Sequence, residues 1–118
     1  MNKTDFAALA AFLKESEGSH RAAAAALAAD SRGDEAAFEK IRANVFGIFA
    51  AVLETAVKLH GESDTAFGFF AKKLREIPSS WRANLAAAGE KGDSEAALRE
   101  KLKLESVAEI EKWLKEAE

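Results

Sequence analysis

From Phe6 the chain sets apolar side chains at three- and four-residue intervals, Phe6, Leu9, Ala10 and Leu13, and then turns charged at Lys14 and Glu15. That spacing is the single stripe of an amphipathic helix. Thr4 is placed to cap it, with Asp5 in the first turn where a negative charge complements the helix dipole. The alanine block from His20 to Ala29 carries the helical pattern on, with Gly18-Ser19 either dividing two helices or sitting as a flaw inside one. Asp30-Ser31-Arg32-Gly33-Asp34 reads as a turn, with Asp34 capping the next helix.

Between Glu35 and His60 the pattern thickens. One stripe runs Phe38, Ile41, Val45, Ile48, Val52, and a second runs Phe46, Phe49, Leu53, Ala56. A surface helix shows one apolar stripe, so a helix carrying two is expected at the centre, with other helices around it. Gly61 ends it. Ser63 or Asp64 starts a segment bearing Phe67, Phe70, Leu74 and Ile77, and Pro78 is expected to close it by pushing Ile77 out of the helical region. Ser79 or Ser80 then caps Trp81 to Ala88, and Gly89-Glu90-Lys91-Gly92-Asp93 forms a turn. The last segment starts near Ser94 and holds Leu98, Leu102, Leu104, Val107, Ile110 and Leu114. Ser106 and Glu109 have capping-box spacing, which would allow a break near Glu105.

Composition agrees with the periodicity. Alanine, the best helix former, supplies 27 of the 118 residues, and no stretch rich in Val, Ile or Thr alternates apolar with polar positions. A mass of 12.7 kDa fits one domain. The expectation is a single all-α domain over residues 1–118, a compact bundle of five or six antiparallel helices around a central hydrophobic helix at about 35–60.

The Ala-rich stretch, Gly33-Asp34 and Glu35-Ala36-Ala37-Phe38 are echoed by a second Ala-rich stretch, Gly92-Asp93 and Glu95-Ala96-Ala97-Leu98. Both look like antiparallel hairpins turned by Gly-Asp. The Gly-Asp turn followed by small residues resembles that of tetratricopeptide-type repeats. The likeness ends at the turn: Trp81 and Leu85 stand off the repeat spacing, and Lys101 falls where a large apolar residue belongs.

Charge gives little direction. Residues 1–59 carry seven basic and eight acidic side chains and residues 60–118 carry ten and twelve, so no nucleic acid partner is expected. The longest apolar run, Val45 to Leu53, is far short of the roughly 20 residues of a membrane span. With no basic, apolar leader pattern either, a soluble cytoplasmic protein without a transmembrane segment is expected.

The chemistry-bearing residues are sparse. The chain has no cysteine and no tyrosine, which excludes disulfides, thiolate metal sites and a cysteine nucleophile. Glu17-x-x-His20 has the spacing of carboxylate-bridged di-iron bundles, but that chemistry needs a second such motif, and the chain has none. His20 is therefore expected to face solvent or start a helix, and His60 to complement the dipole at a helix C-terminus. The serines cluster at expected helix ends, and no nucleophile elbow or phosphate-cradling glycine loop is present. No catalytic residue, cofactor or metal is expected.

One segment stands apart. Between Phe67 and Arg82 lie four basic residues, one acid and four aromatics. Phe69, which falls off the apolar stripe, with Lys72, Lys73, Arg75 and Arg82, forms the candidate face for a partner or an anion. The function expected is that of a small non-enzymatic interaction module whose partner is another protein or a second copy in a homodimer. The alternative is a sensor or carrier holding a small apolar or anionic ligand among Phe46, Phe49, Phe67 and Phe70, with those cations at the rim. An open apolar groove favours the first, and an enclosed aromatic cavity the second.

Overall fold

Helix-forming sequence becomes helix almost everywhere in the computed structural model, which describes residues 5–117. The helices are α1 (Phe6–Ala29), α2 (Gly33–His60), α3 (Asp64–Glu76), α4 (Pro78–Lys91) and α5 (Ser94–Glu116), and the described residues include no strand. Asp5 caps α1 by accepting from the Ala8 amide at 3.1 Å, and Thr4 lies outside the described residues. Gly18 is carried inside α1, and α5 runs unbroken past Glu105. Ser106 starts no new helix there; its hydroxyl donates to the Leu102 carbonyl one turn back at 3.1 Å.

Pro78 does not expel its neighbour from the helix. Ile77 keeps helical dihedrals (φ −58°, ψ −44°) and its amide donates to the Lys73 carbonyl at 2.9 Å, so α3 runs on into α4. Proline sits at the first position of α4, where a missing N–H is tolerated and its fixed φ suits the helix. Ser79 and Ser80 do not cap α4. Their hydroxyls donate to the carbonyls of Glu76 (2.7 Å) and Ile77 (3.4 Å), three residues back at the junction. The five helical stretches thus make four rods, and the expected count of five or six separate antiparallel helices is not met.

The two Gly-Asp turns also part company. At the second, Gly92 takes the left-handed conformation (φ 69°) and Asp93 caps α5, accepting from the Ala96 amide at 3.1 Å. At the first, Ser31 carries the positive φ (59°), and Gly33 and Asp34 are already inside α2. Asp34 is therefore a first-turn residue and not the cap. The sharp reversal at Asp30–Arg32 closes with the Arg32 amide on the Leu27 carbonyl at 2.9 Å.

Tertiary packing is dominated by two antiparallel hairpins, α1–α2 and α4–α5, and α2 also packs on α3 and α5. The expectation of a central helix holds for α2. Its second stripe, Phe46, Phe49, Leu53 and Ala56, is buried together with Phe6, Leu9 and Leu13 of α1, Phe70 and Leu74 of α3, and Val107 and Ile110 of α5. Of its first stripe only Val45 is buried, and Ile48 is 39% exposed, because α4 and α5 cover that side incompletely. Both hairpin tips stand clear of this core: residues 28–35 and 89–95 are exposed throughout. The chain measures 42 × 35 × 25 Å, and its radius of gyration of 15.5 Å exceeds the about 13.5 Å of a spherical domain this long. Alanine makes such tips workable, since its small side chain lets two helices lie close without a large core between them.

Candidate partner-docking surface

The basic–aromatic segment of α3 and α4 is only partly free. Phe67, Phe70 and Leu74 face the core as the stripe predicts. Phe69, expected to be left over, is half-buried and packs on the core edge, its ring 5.8 Å from that of His60. Lys73 Nζ sits over that same ring at 5.6 Å and within 3.7 Å of Glu76 Oε1. Phe69 and Lys73 are thus engaged within the chain, whereas Lys72, Arg75 and Arg82 are exposed and carry no partner among the described residues. His60 lies in the last turn of α2, as expected, with its ring against α3.

His20 neither faces solvent freely nor starts a helix. It sits inside α1, half-buried, with its ring stacked on Phe46 at 5.5 Å. Its Nδ1 lies 2.5 Å from Glu39 Oε2, and Arg42 donates to the other oxygen of Glu39 at 2.8 Å. Glu17, the other half of the sequence motif, pairs instead with Arg21 at 2.8 Å and lies over Gly47 of α2. The motif therefore serves the α1–α2 seam. Among the described residues no cluster of three His, Asp or Glu side chains could hold a metal.

The aromatic interior is filled. Phe46, Phe49 and Phe70 are wholly buried. Phe49 meets Phe70 edge-on at 6.2 Å, Phe12 meets Phe46 edge-on at 6.0 Å, and His20 covers a face of Phe46. These contacts use the surfaces that a ligand among those rings would need.

The open apolar surface lies on the other side of the hairpin and was not singled out by the sequence. A groove of about 330 Å³ runs between the first half of α1 and the second half of α2. Phe6, Ala7 and Ala10 form one wall, and Ala50, Leu53 and Val57 the other. Lys14, Glu54 and Glu62 supply its charges. Its walls come from the i, i+3, i+4 spacing of both helices, with alanine where a large residue would have filled the space. The clue in the sequence was alanine at 7, 10 and 50 beside the core stripes, of which periodicity counts only Ala10 as part of a stripe.

A smaller crevice of about 220 Å³ lies between α2, α4 and α5, where Ile41, Val45 and Ile48 meet Trp81 and Lys103. Lys103 Nζ is 5.7 Å from the Trp81 ring and donates to Glu100 Oε1 at 3.2 Å. The other oxygen of Glu100 is buried with no hydrogen-bond partner.

Fold and surfaces together define a small all-helical protein built on two antiparallel hairpins, with no helix among the described residues long and apolar enough to cross a membrane. Comparison with known proteins finds no matching family model, no matching curated protein and no matching solved structure.

Proposed function

We propose that the chain is a small non-enzymatic interaction module, working in the cytoplasmic setting expected from its sequence, that takes a protein partner in the α1–α2 groove. The observation that carries this reading is the groove itself: an open, mostly apolar channel bounded by two rigid helices on a protein whose aromatic core is already filled. Water leaves such a surface favourably when another apolar face covers it. The expected basic–aromatic face supports the reading less strongly, because Phe69 and Lys73 are occupied within the chain.

Affinity capture with three forms of the protein tests this. Ala7 is exposed and lines the groove, so Ala7→Arg should remove the captured partner without loss of helicity. The triple variant Lys72→Glu, Arg75→Glu, Arg82→Glu should keep it. The opposite pattern would transfer the function to the α3–α4 face. Native mass spectrometry at low micromolar concentration separates a second copy from a different polypeptide as the partner.

A further inference from the structure

We infer that the occupant of the α1–α2 groove is an amphipathic α-helix of another polypeptide, with basic side chains along the stretch lying over Glu54 and Glu62 and an acidic side chain at the end lying over Lys14. The inference rests on the groove reading above and adds the chemistry of the partner.

Three features of the groove lead there. Its length, set by the seven-residue step from Ala7 to Lys14 on α1 and from Ala50 to Val57 on α2, is about 11 Å, or two turns of helix. That fits apolar anchors at i, i+4 and i+7 of a third helix laid between the two. Its floor is narrow and low, because Ala7, Ala10 and Ala50 leave room for a helix axis to approach at the close end of the usual 8–10 Å range. An extended strand finds little to pair with here, since the wall residues lie in helices and only the first-turn amides of Phe6 and Ala7 lack an intrahelical acceptor.

Charge then orders the two ends. α1 and α2 are antiparallel, so Lys14 falls at the Ala50 end of the groove and Glu62 at the Phe6 end, with Glu54 between. Lys14, Glu54 and Glu62 make no ion pair or hydrogen bond among the described residues, whereas Glu17 and Glu39 further along the same seam are paired. The groove thus carries a free positive charge at one end, a free negative charge at the other and a second free negative charge between them. A docked helix meets them best with the opposite order. Among the described residues a second copy offers no matching ridge: of its large exposed apolar side chains, Ile48 and Leu59 stand about 16 Å apart along α2 and Leu98 is alone on α5.

The test uses the whole protein and a synthetic probe. The probe is a capped peptide of about 15 residues, long enough to be partly helical alone, with Leu at i, i+4 and i+7, two Glu in its first turn and two Lys in its last. Titrated into isotope-labelled protein, it should shift the amides of Ala7, Ala10, Ala50 and Val57 saturably. A nitroxide at its Lys end should broaden Val57 and Glu62 more than Ala50 and Lys14. The double variant Glu54→Lys, Glu62→Lys should weaken binding about fivefold, the effect of losing two surface charge pairs.

Saturable shifts in the groove with undiminished affinity for that variant, or with broadening at Lys14, would overturn the helix polarity and leave the groove as a docking site. No saturable shift there would overturn both. A dimer of the protein alone that Ala7→Arg separates would replace the proposed partner with a second copy.

Discussion

His20 of α1 lies almost flat on Phe46 of α2, ring centroids 5.5 Å apart and planes 14° from parallel, while its Nδ1 reaches Glu39 Oε2 at 2.5 Å. One side chain therefore ties the hairpin in two ways, by dispersion against the core and by a charge-assisted hydrogen bond at its edge. His20→Ala removes both and should destabilise the protein by about 1–2 kcal/mol. His20→Phe keeps the stack and leaves Glu39 with Arg42, so it should cost less. Equal losses for the two in urea denaturation would mean that the stack contributes nothing.

Phe46 and Phe49 are wholly buried in the core that α1, α2, α3 and α5 share. Truncating either to Ala should cost about 3–5 kcal/mol, a large part of the stability of any domain this size. Denaturant midpoints at unchanged slope measure it, and a loss under about 1 kcal/mol would mean that the site collapses around the missing ring.

Two glycines should respond in opposite directions to alanine. Gly18 is inside α1 with open space where a Cβ would go, so Gly18→Ala should stabilise by about 0.5–1 kcal/mol. Gly92 holds φ 69° at the end of α4, and Gly92→Ala should destabilise by about 1 kcal/mol. Melting temperatures of the two variants must move apart; a shared direction would contradict the assigned dihedrals.

Glu100 is 9% exposed and has one oxygen unsatisfied, while its partner Lys103 keeps contact with water. Burying a carboxylate costs more than a single half-exposed ion pair returns. Glu100→Met should therefore leave stability unchanged or raise it by about 1 kcal/mol. A loss of more than about 2 kcal/mol, read by thermal unfolding, would show that the pair organises the α4–α5 hairpin.

Lys72, Arg75 and Arg82 are exposed and unpartnered, whereas Lys73 lies between Phe69 and Glu76. Reversing Lys72 and Arg75 to Glu should change stability by less than about 0.5 kcal/mol each, and reversing Lys73 should cost more than either. Circular dichroism melts check the order, and the reverse order would place Lys73 free of Phe69.

Much of this fold follows from local rules. Spacing and propensity alone determined the helical class, the extent and centrality of α2, and the hairpin at Gly92-Asp93, because each depends on neighbours within one or two turns. The tertiary structure decided what local rules leave degenerate. Gly33-Asp34 and Gly92-Asp93 are alike in sequence, yet only Gly92 turns the chain; at the first hairpin the pairing of α1 with α2 puts the reversal at Ser31. Ile77 stays helical before proline, its amide held on the Lys73 carbonyl.

Burial was the least legible property. Val45 and Ile48 stand one turn apart on the same stripe, but one is covered and the other is not, since coverage depends on where α4 and α5 end up and not on spacing. The α1–α2 groove has the same origin. Alanine reads as helix former and as core filler alike, and only because no third helix among the described residues covers Ala7, Ala10 and Ala50 do those positions line an open groove.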